Sequence, residues 1–139
     1  MKELLNDKER RRYPRFSIDL PLEYREINAP LLRGAMVANA SKGGFLMESP
    51  SDIPVGTELS ITVLYPKGFE LANFKVTAKI VWKEPYWKED SKRDRSWRGY
   101  QYGLEFIQIL DEDRWKLSLL LSKPFISEAA SPSLGSQNY

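Results

Sequence analysis

The chain contains no cysteine and no histidine among its 139 residues. The first absence excludes a disulfide framework and thiolate chemistry. The two together remove the usual zinc ligands and the usual general base. Long apolar runs are missing as well. Only Leu4 and Leu5 are strongly apolar in the first twelve residues, which is too little for a signal peptide. No later stretch approaches the roughly 20 apolar residues of a membrane span. A soluble, cytoplasmic protein with no bound metal and no cofactor is the expectation. An enzyme is not expected, and no residue is assigned a catalytic role. Ser41 has no histidine to activate it, no G-x-x-x-x-G-K-[S/T] phosphate loop occurs, and no carboxylate pair stands out.

The chain has a hydrophobic fraction of 42% and a charged fraction of 29%, ordinary values for one globular domain with a real core. Its net charge of +2 is unevenly placed. Residues 8–15 hold Lys8, Arg10, Arg11, Arg12 and Arg15 against Glu9, a local +4 that leaves −2 on the rest. A general nucleic-acid binder spreads basic residues over a face. Positive charge gathered at one short site on a slightly acidic body suits a compact anionic ligand better, although a solvated basic turn has the same composition.

Apolar residues recur with period two through most of the chain, the mark of strands with one buried face. Phe16, Ile18, Leu20, Leu22 and Tyr24 form the first set, with Pro21 on the polar phase suggesting an edge or a bulge. Asn28-Ala29-Pro30 reads as a turn. A weaker strand containing Met36 and Val37 runs into a turn over Asn39 to Gly44, after which Phe45-Leu46-Met47 starts a third. Residues 49–56 read as a loop. Leu59, Ile61, Val63 and Tyr65 alternate next, then Pro66-Lys67-Gly68 signals a turn. Phe74, Val76, Ala78, Ile80 and Trp82 give the longest clean alternation, which places Trp82 in the core. Residues 83–98 are polar and mixed in charge, read as a long connection that is either a protruding hairpin or, with slight preference, a solvated loop. Tyr100, Tyr102, Leu104 and Phe106 form a further strand with Gly103 inside it. Asp111 is placed to cap a helix from about Glu112 to Ser122 with Trp115, Leu119 and Leu120 on one face, ended by Pro124.

These patterns predict a mainly β fold, a six- to seven-stranded antiparallel β-barrel with one C-terminal α-helix. The domain is expected over residues 13–125. A flexible arm over residues 1–12 and a disordered tail over residues 126–139 flank it.

Two clusters do not look like core. Arg10-Arg11-Arg12-Tyr13-Pro14-Arg15 gathers guanidinium groups just before the first strand, and Pro14 disfavours helix at Tyr13. An arginine offers a planar fork that meets phosphate oxygens two at a time, and the same fork matches the O6 and N7 edge of guanine. The turn Asn39-Ala40-Ser41-Lys42-Gly43-Gly44 supplies a complement. Asn39 carries an amide donor and a carbonyl acceptor, and Ser41 a hydroxyl that serves a base or a phosphate. Gly43 and Gly44 allow positive φ and close approach of backbone to a ligand. Taken alone, the turn reads first as a hairpin whose Asn and Ser bond their own backbone, and only together with the arginine cluster does the ligand-binding reading take precedence. Trp82 offers a stacking surface for a base if it lies outside the core. The aromatic and basic residues between Trp82 and Arg98 (Tyr86, Trp87 and Trp97 with lysines and arginines) offer a second surface, but Glu84, Glu89, Asp90 and Asp94 would repel phosphate.

Arg11 and Arg15 fit R-x-x-x-R, and Asn39, Ser41 and Gly44 fit [D/N]-x-S-x-x-G. In that order and at about this separation, the pair resembles the PilZ domain family, and Tyr102-Gly103-Leu104-Glu105-Phe106 resembles its late strand. The resemblance spans roughly residues 9 to 121. It implies a β-barrel receptor for the bacterial second messenger cyclic di-GMP that passes its signal to a protein effector. By the same resemblance Arg11 and Arg15 hold phosphate and guanine, Asn39 and Ser41 read guanine, and Gly44 shapes the turn. Asn39 stands where the pattern also allows Asp, so the contact to guanine N1 and N2 lacks a charged acceptor. Arg10 directly precedes the motif, a position that in this family influences whether one ligand or an intercalated pair is held, and two molecules per site are expected. The alternatives are a β-barrel binder of single-stranded nucleic acid and a PilZ-like module that binds no nucleotide and serves protein assembly.

Overall fold

Period-two sequences of this kind leave each strand with one apolar face, and closing the sheet on itself buries all those faces at once. The computed structural model has this form and describes residues 15–90 and 95–122. Among these residues six strands run in the order β1 (Phe16–Glu26), β2 (Arg33–Ala40), β3 (Gly44–Ser49), β4 (Glu58–Lys67), β5 (Glu70–Asp90) and β6 (Arg95–Gln108), and one helix follows, α1 (Asp111–Ser122). All pairings are antiparallel, and the neighbours β1-β2-β3-β6-β5-β4 close into a barrel through the β1–β4 ladder. The arm expected over residues 1–12 and the tail expected over 126–139 lie outside the described residues.

The alternating residues are the ones inside. Ile18, Leu20, Leu22 and Tyr24 of β1, Leu59, Ile61, Val63 and Tyr65 of β4, and Phe74, Val76, Ala78 and Ile80 of β5 join one core with Val37, Phe45, Met47, Tyr102 and Leu104. Phe106 stacks edge-on against Phe45, with ring centroids 4.8 Å apart, a favoured aromatic geometry. Pro21 sits where the β1–β4 ladder, which runs from Leu22 to Glu26, has stopped. Its missing N–H therefore costs no pairing there. The β1 irregularity lies earlier, between Ser17 and Leu20.

Three expectations need correction. Of the two readings of residues 83–98, the preferred loop is overturned and the protruding hairpin is the one present: Lys83–Asp90 of β5 and Arg95–Arg98 of β6 continue past the barrel as a two-stranded ribbon, paired from Lys83↔Tyr102 to Asp90↔Arg95. A two-stranded ribbon outside the barrel has no core to face, so a polar, mixed-charge sequence does not distinguish it from a loop. Trp82 is not in the core. The register slips between Ile80, opposite Leu104, and Trp82, opposite Gly103, and this bulge leaves one residue, Val81, without a cross-strand partner. Trp82 then shares the outward phase of Gly103 and is half-buried. The helix seats on a face rotated from the one expected, which shares only Leu120 with it. Leu117, Leu120 and Leu121 are buried, whereas Trp115 is 64% and Leu119 41% exposed.

The reason for that seating lies in the sheet. β6 pairs with β5 only from Thr77 onward, which leaves one edge of Glu70–Val76 without a strand. The helix covers it: Lys75 N donates to Asp113 Oδ1 at 3.0 Å, and Lys116 Nζ donates to the Asn73 carbonyl at 3.2 Å. Asp113, Lys116, Leu117 and Leu120 share one helical face by their spacing. Asp111 begins the helix instead of capping it, since Arg114 N donates to the Leu110 carbonyl at 2.8 Å. Pro124 lies outside the described residues.

Candidate functional site

The turn between β2 and β3 is held from several sides. Ser41 N donates to the Gly44 carbonyl at 2.9 Å, and Phe106 N donates to the Gly43 carbonyl at 3.0 Å. Ser41 Oγ accepts from Gly43 N at 3.1 Å, and the side chain is 4% exposed. Ser41 thus supports its own turn in this state. Gly44 also acts within the chain. A Cβ there would lie 2.0 Å from the Leu104 carbonyl oxygen, so the missing side chain lets β3 approach β6. The positive φ values expected in this turn occur elsewhere, at Gly56 (+98°) and Gly68 (+63°).

Asn39 differs from Ser41. Its side chain leaves the turn and accepts from Arg15 Nη1 at 3.0 Å, across 24 residues of sequence. The structure therefore joins one residue of each sequence cluster. Arg10 and Arg11 lie outside the described residues. β2 has its own bulge between Val37 and Asn39, which is why Val37 and Ala40, three apart, are both buried and Asn39 faces out.

Register then aligns a row across the outer surface. Ser17 is opposite Asn39, Asn39 opposite Leu46, Leu46 opposite Gly103, and Gly103 opposite Trp82. Three strand spacings separate Asn39 from Trp82, about 14 Å along the sheet. The indole lies against the bare face of Gly103, where a Cβ would stand 2.1 Å from Trp82 Nε1. Arg15 and Asn39 bound one end of this strip and Trp82 the other, with Leu46 and Gly103 between. A cationic fork, an amide and an indole on one strip are suited to phosphate, base edge and base face respectively. Leu46 and the two bulges carry no sequence signal of their role. Gly103 carried one, because a glycine inside a strand marks close approach of another group.

Next to the turn, Phe16 and Lys42 line a groove of about 500 Å³ with Trp115, Ser118, Leu119 and Leu121 of α1. Two aromatics of the ribbon are placed apart from the strip. Tyr86 and Trp87 line a separate groove with Pro50, Pro85, Arg98 and Tyr100, at the Ser49 end of β3 and not its Gly44 end.

At that far end Tyr102 fixes the loop after β3. Its hydroxyl accepts from Ile53 N at 2.8 Å and donates to the Ser51 carbonyl. Burial pushes its pKa above the ordinary tyrosine value, opposed by the bond from Ile53. Lys83 bonds Asp52 and lies 5.0 Å from the Tyr100 ring centre. The hydrogen bond to Asp52 raises its pKa. No group of three or more Asp or Glu side chains able to hold a metal occurs among the described residues. None of their helices is long and apolar enough to cross a membrane.

A family model described as the PilZ domain matches residues 9–122. No curated protein matches the chain significantly. Among solved structures, the PilZ domain of YcgR from Escherichia coli with c-di-GMP superposes with a TM-score of 0.65 at 15% identity, covering 90% of this chain and 99% of that one. The Bacillus subtilis inhibitor of motility MotI/DgrA gives 0.58 at 18% identity, covering 82% and 53%. The K. pneumonia MrkH–c-di-GMP complex gives 0.56 at 15%, covering 86% and 53%. The chain thus spans about half the length of the last two. At these identities the likeness is one of fold.

Proposed function

Because this chain belongs to the PilZ domain family, we propose that it is a receptor for cyclic di-GMP and not an enzyme. The observation that carries the reading is the Arg15–Asn39 hydrogen bond. It joins the second arginine of R-x-x-x-R to the first residue of N-x-S-x-x-G, which supports a single site built from both motifs. Arg11 and Arg15 take phosphate and guanine, Asn39 and the Ser41–Gly44 turn bound the base, and Trp82 stacks at the other end of the strip. An arginine has five N–H donors, so Arg15 can meet an anion while keeping Asn39. Isothermal titration with cyclic di-GMP, using GTP and cyclic GMP–AMP as controls, tests the assignment. Each lost charge-assisted contact costs about 1.5–3 kcal/mol, so a folded Arg11→Ala, Arg15→Ala double variant should bind at least tenfold more weakly. Unchanged affinity in that variant sinks the assignment.

The same reading extends to stoichiometry and signalling. Arg10 adds a third guanidinium that offsets the charge of a second ligand, so two molecules per chain are expected at saturation, and a measured value of one refutes it. The signal passes to a protein partner through residues 1–12. Arg10, Arg11 and Arg12 repel one another without an anion, and a ligand that touches both arm and turn favours the docked arm by its differential affinity. Amide hydrogen exchange should show protection rising in residues 2–15 and around Asn39–Gly44 on adding cyclic di-GMP, with little change over Phe74–Trp82. A change centred on the barrel strands would contradict this route.

A further inference from the structure

One end of the barrel carries apolar side chains that no other described residue covers. β1 begins there at Phe16. β4 runs antiparallel to β1, from Leu22↔Val63 to Glu26↔Leu59, so the turn after β4 lies at the same end. α1 passes between them. Its Trp115 and Leu119, one turn apart, line the groove of about 500 Å³ beside Phe16 and Lys42. They also line a second groove of about 340 Å³, beside Tyr65, Pro66, Lys67 and Gly68. A pair with a groove on each side stands up as a ridge. Next to Gly68, in the tight turn that joins Lys67 to its partner Glu70, Phe69 is fully exposed, and Leu71 after it is exposed too. Single exposed apolar residues are ordinary, but a cluster of them marks a contact surface.

The charge around this cluster points to what covers it. The two grooves are lined by Lys42, Lys67 and Lys116 and by no acid. Of the nearby acids, Glu112 pairs with Lys116 at 3.5 Å, Glu70 stands opposite Lys67, Asp113 accepts from Lys75 N, and Asp111 lies one turn before Trp115. Lysines and acids here nearly balance. What remains is the +4 of residues 8–15, which joins the barrel at Phe16, a lining residue of the first groove. Protruding rings with a diffuse positive charge suit an anionic bilayer, which needs no complementary shape and takes aromatic rings at the headgroup level. We propose that this end of the barrel docks on membranes that contain anionic lipid. Phe69, Trp115 and Leu119 enter the headgroup region, and the lysines with residues 8–15 hold the surface electrostatically. The proposal does not depend on the receptor reading.

The test is flotation of the full chain, without nucleotide, on vesicles of phosphatidylcholine alone and of phosphatidylcholine with an equal part of phosphatidylglycerol. The chain should float with the anionic vesicles, less so as salt is raised, and stay behind with the neutral ones. Phe69→Ser and Trp115→Ser should each weaken anionic-vesicle binding by about three- to twelvefold, the range from half to full burial of one ring. Lys67→Gln should weaken it by about fivefold. Val55→Ser, an exposed position before β4 at the opposite end of the barrel, should change nothing. A thermal melt checks each fold, and the fully exposed Phe69 keeps the test valid if Trp115→Ser disturbs α1. No binding to anionic vesicles at low salt overturns the proposal, as does equal binding to neutral ones. Binding that both serine variants leave unaltered shows the basic segment acting alone and overturns it too. Sedimentation equilibrium supplies the last arm: a dimer that Phe69→Ser abolishes would put a second copy on this surface and rule the membrane out.

Discussion

Gly44 and Gly103 lie on neighbouring strands and would tolerate a side chain very differently. At Gly44 the obstacle is backbone, the Leu104 carbonyl oxygen 2.0 Å from where a Cβ would stand, and a carbonyl inside a ladder cannot move without breaking the sheet. Gly44→Ala should lower stability by about 1–3 kcal/mol or more, read as a lower urea midpoint at constant slope. At Gly103 the obstacle is the Trp82 indole, which has solvent on its other side. Gly103→Ala should cost less stability and displace the ring. If that ring stacks on a base, Trp82→Ala weakens cyclic di-GMP binding by about 1–3 kcal/mol in a barrel that melts as before. An unchanged dissociation constant would leave the indole as a cover for Gly103 and nothing more. Ser41 is a mixed case. Its hydroxyl holds Gly43 N, so Ser41→Ala should cost about 0.5–1.5 kcal/mol of stability in addition to any loss of affinity.

Among the elements, α1 completes the sheet as well as the core. Asp113 satisfies a backbone donor of β5 that no strand reaches, and an unpaired edge is a template for wrong pairing. Asp113→Ala should speed hydrogen exchange at the Lys75 amide and cost about 1 kcal/mol, while exchange in β1 stays as it was. An unaltered Lys75 amide would mean that water replaces the carboxylate at no cost. This contact could not be read from the sequence, because Asp113 and Lys75 are 38 residues apart and each looks like an ordinary surface residue. The barrel itself was legible, since Leu59, Ile61, Val63 and Tyr65 can be buried together only on one face of a strand. The bulges were not. Ala38 and Val81 are unremarkable residues, and a one-residue slip moves every later side chain to the other face, which is why alternation alone points Trp82 into the core. The site was half legible. Side-chain chemistry singled out Arg15 and Asn39, but only the register shows that Leu46, Gly103 and Trp82 continue their row. The ribbon beyond Tyr86 takes no part in that row. Replacing residues 87–98 by Asn-Gly, a two-residue turn suited to a hairpin, should leave cyclic di-GMP affinity unchanged; a loss would bring the ribbon into the site.

At the scale of the molecule, Tyr102 and Lys83 fasten the loop after β3 to the far end of the barrel, and both titrate at high pH. Each has a folded-state pKa above its unfolded value. The stability each contributes is therefore complete below the unfolded pKa, about 10 for both groups, and is lost as pH rises through the folded value. The melting temperature should be insensitive to these two groups near neutrality and fall above about pH 10. Tyr102→Phe should remove the tyrosine part of that fall and, by orphaning the buried Ile53 N–H, cost about 1–3 kcal/mol at pH 7. An alkaline limb identical in the variant would place its origin in other groups. The outward turn of Trp82 has an optical consequence. An indole resting on a glycine at the end of the proposed strip is a built-in fluorophore, and a purine stacked on it would quench its emission. The chain has four tryptophans, so Trp87, Trp97 and Trp115 need to become phenylalanine for one emitter to remain. In that variant, light from a single ring would report occupancy of the site directly, without label or probe.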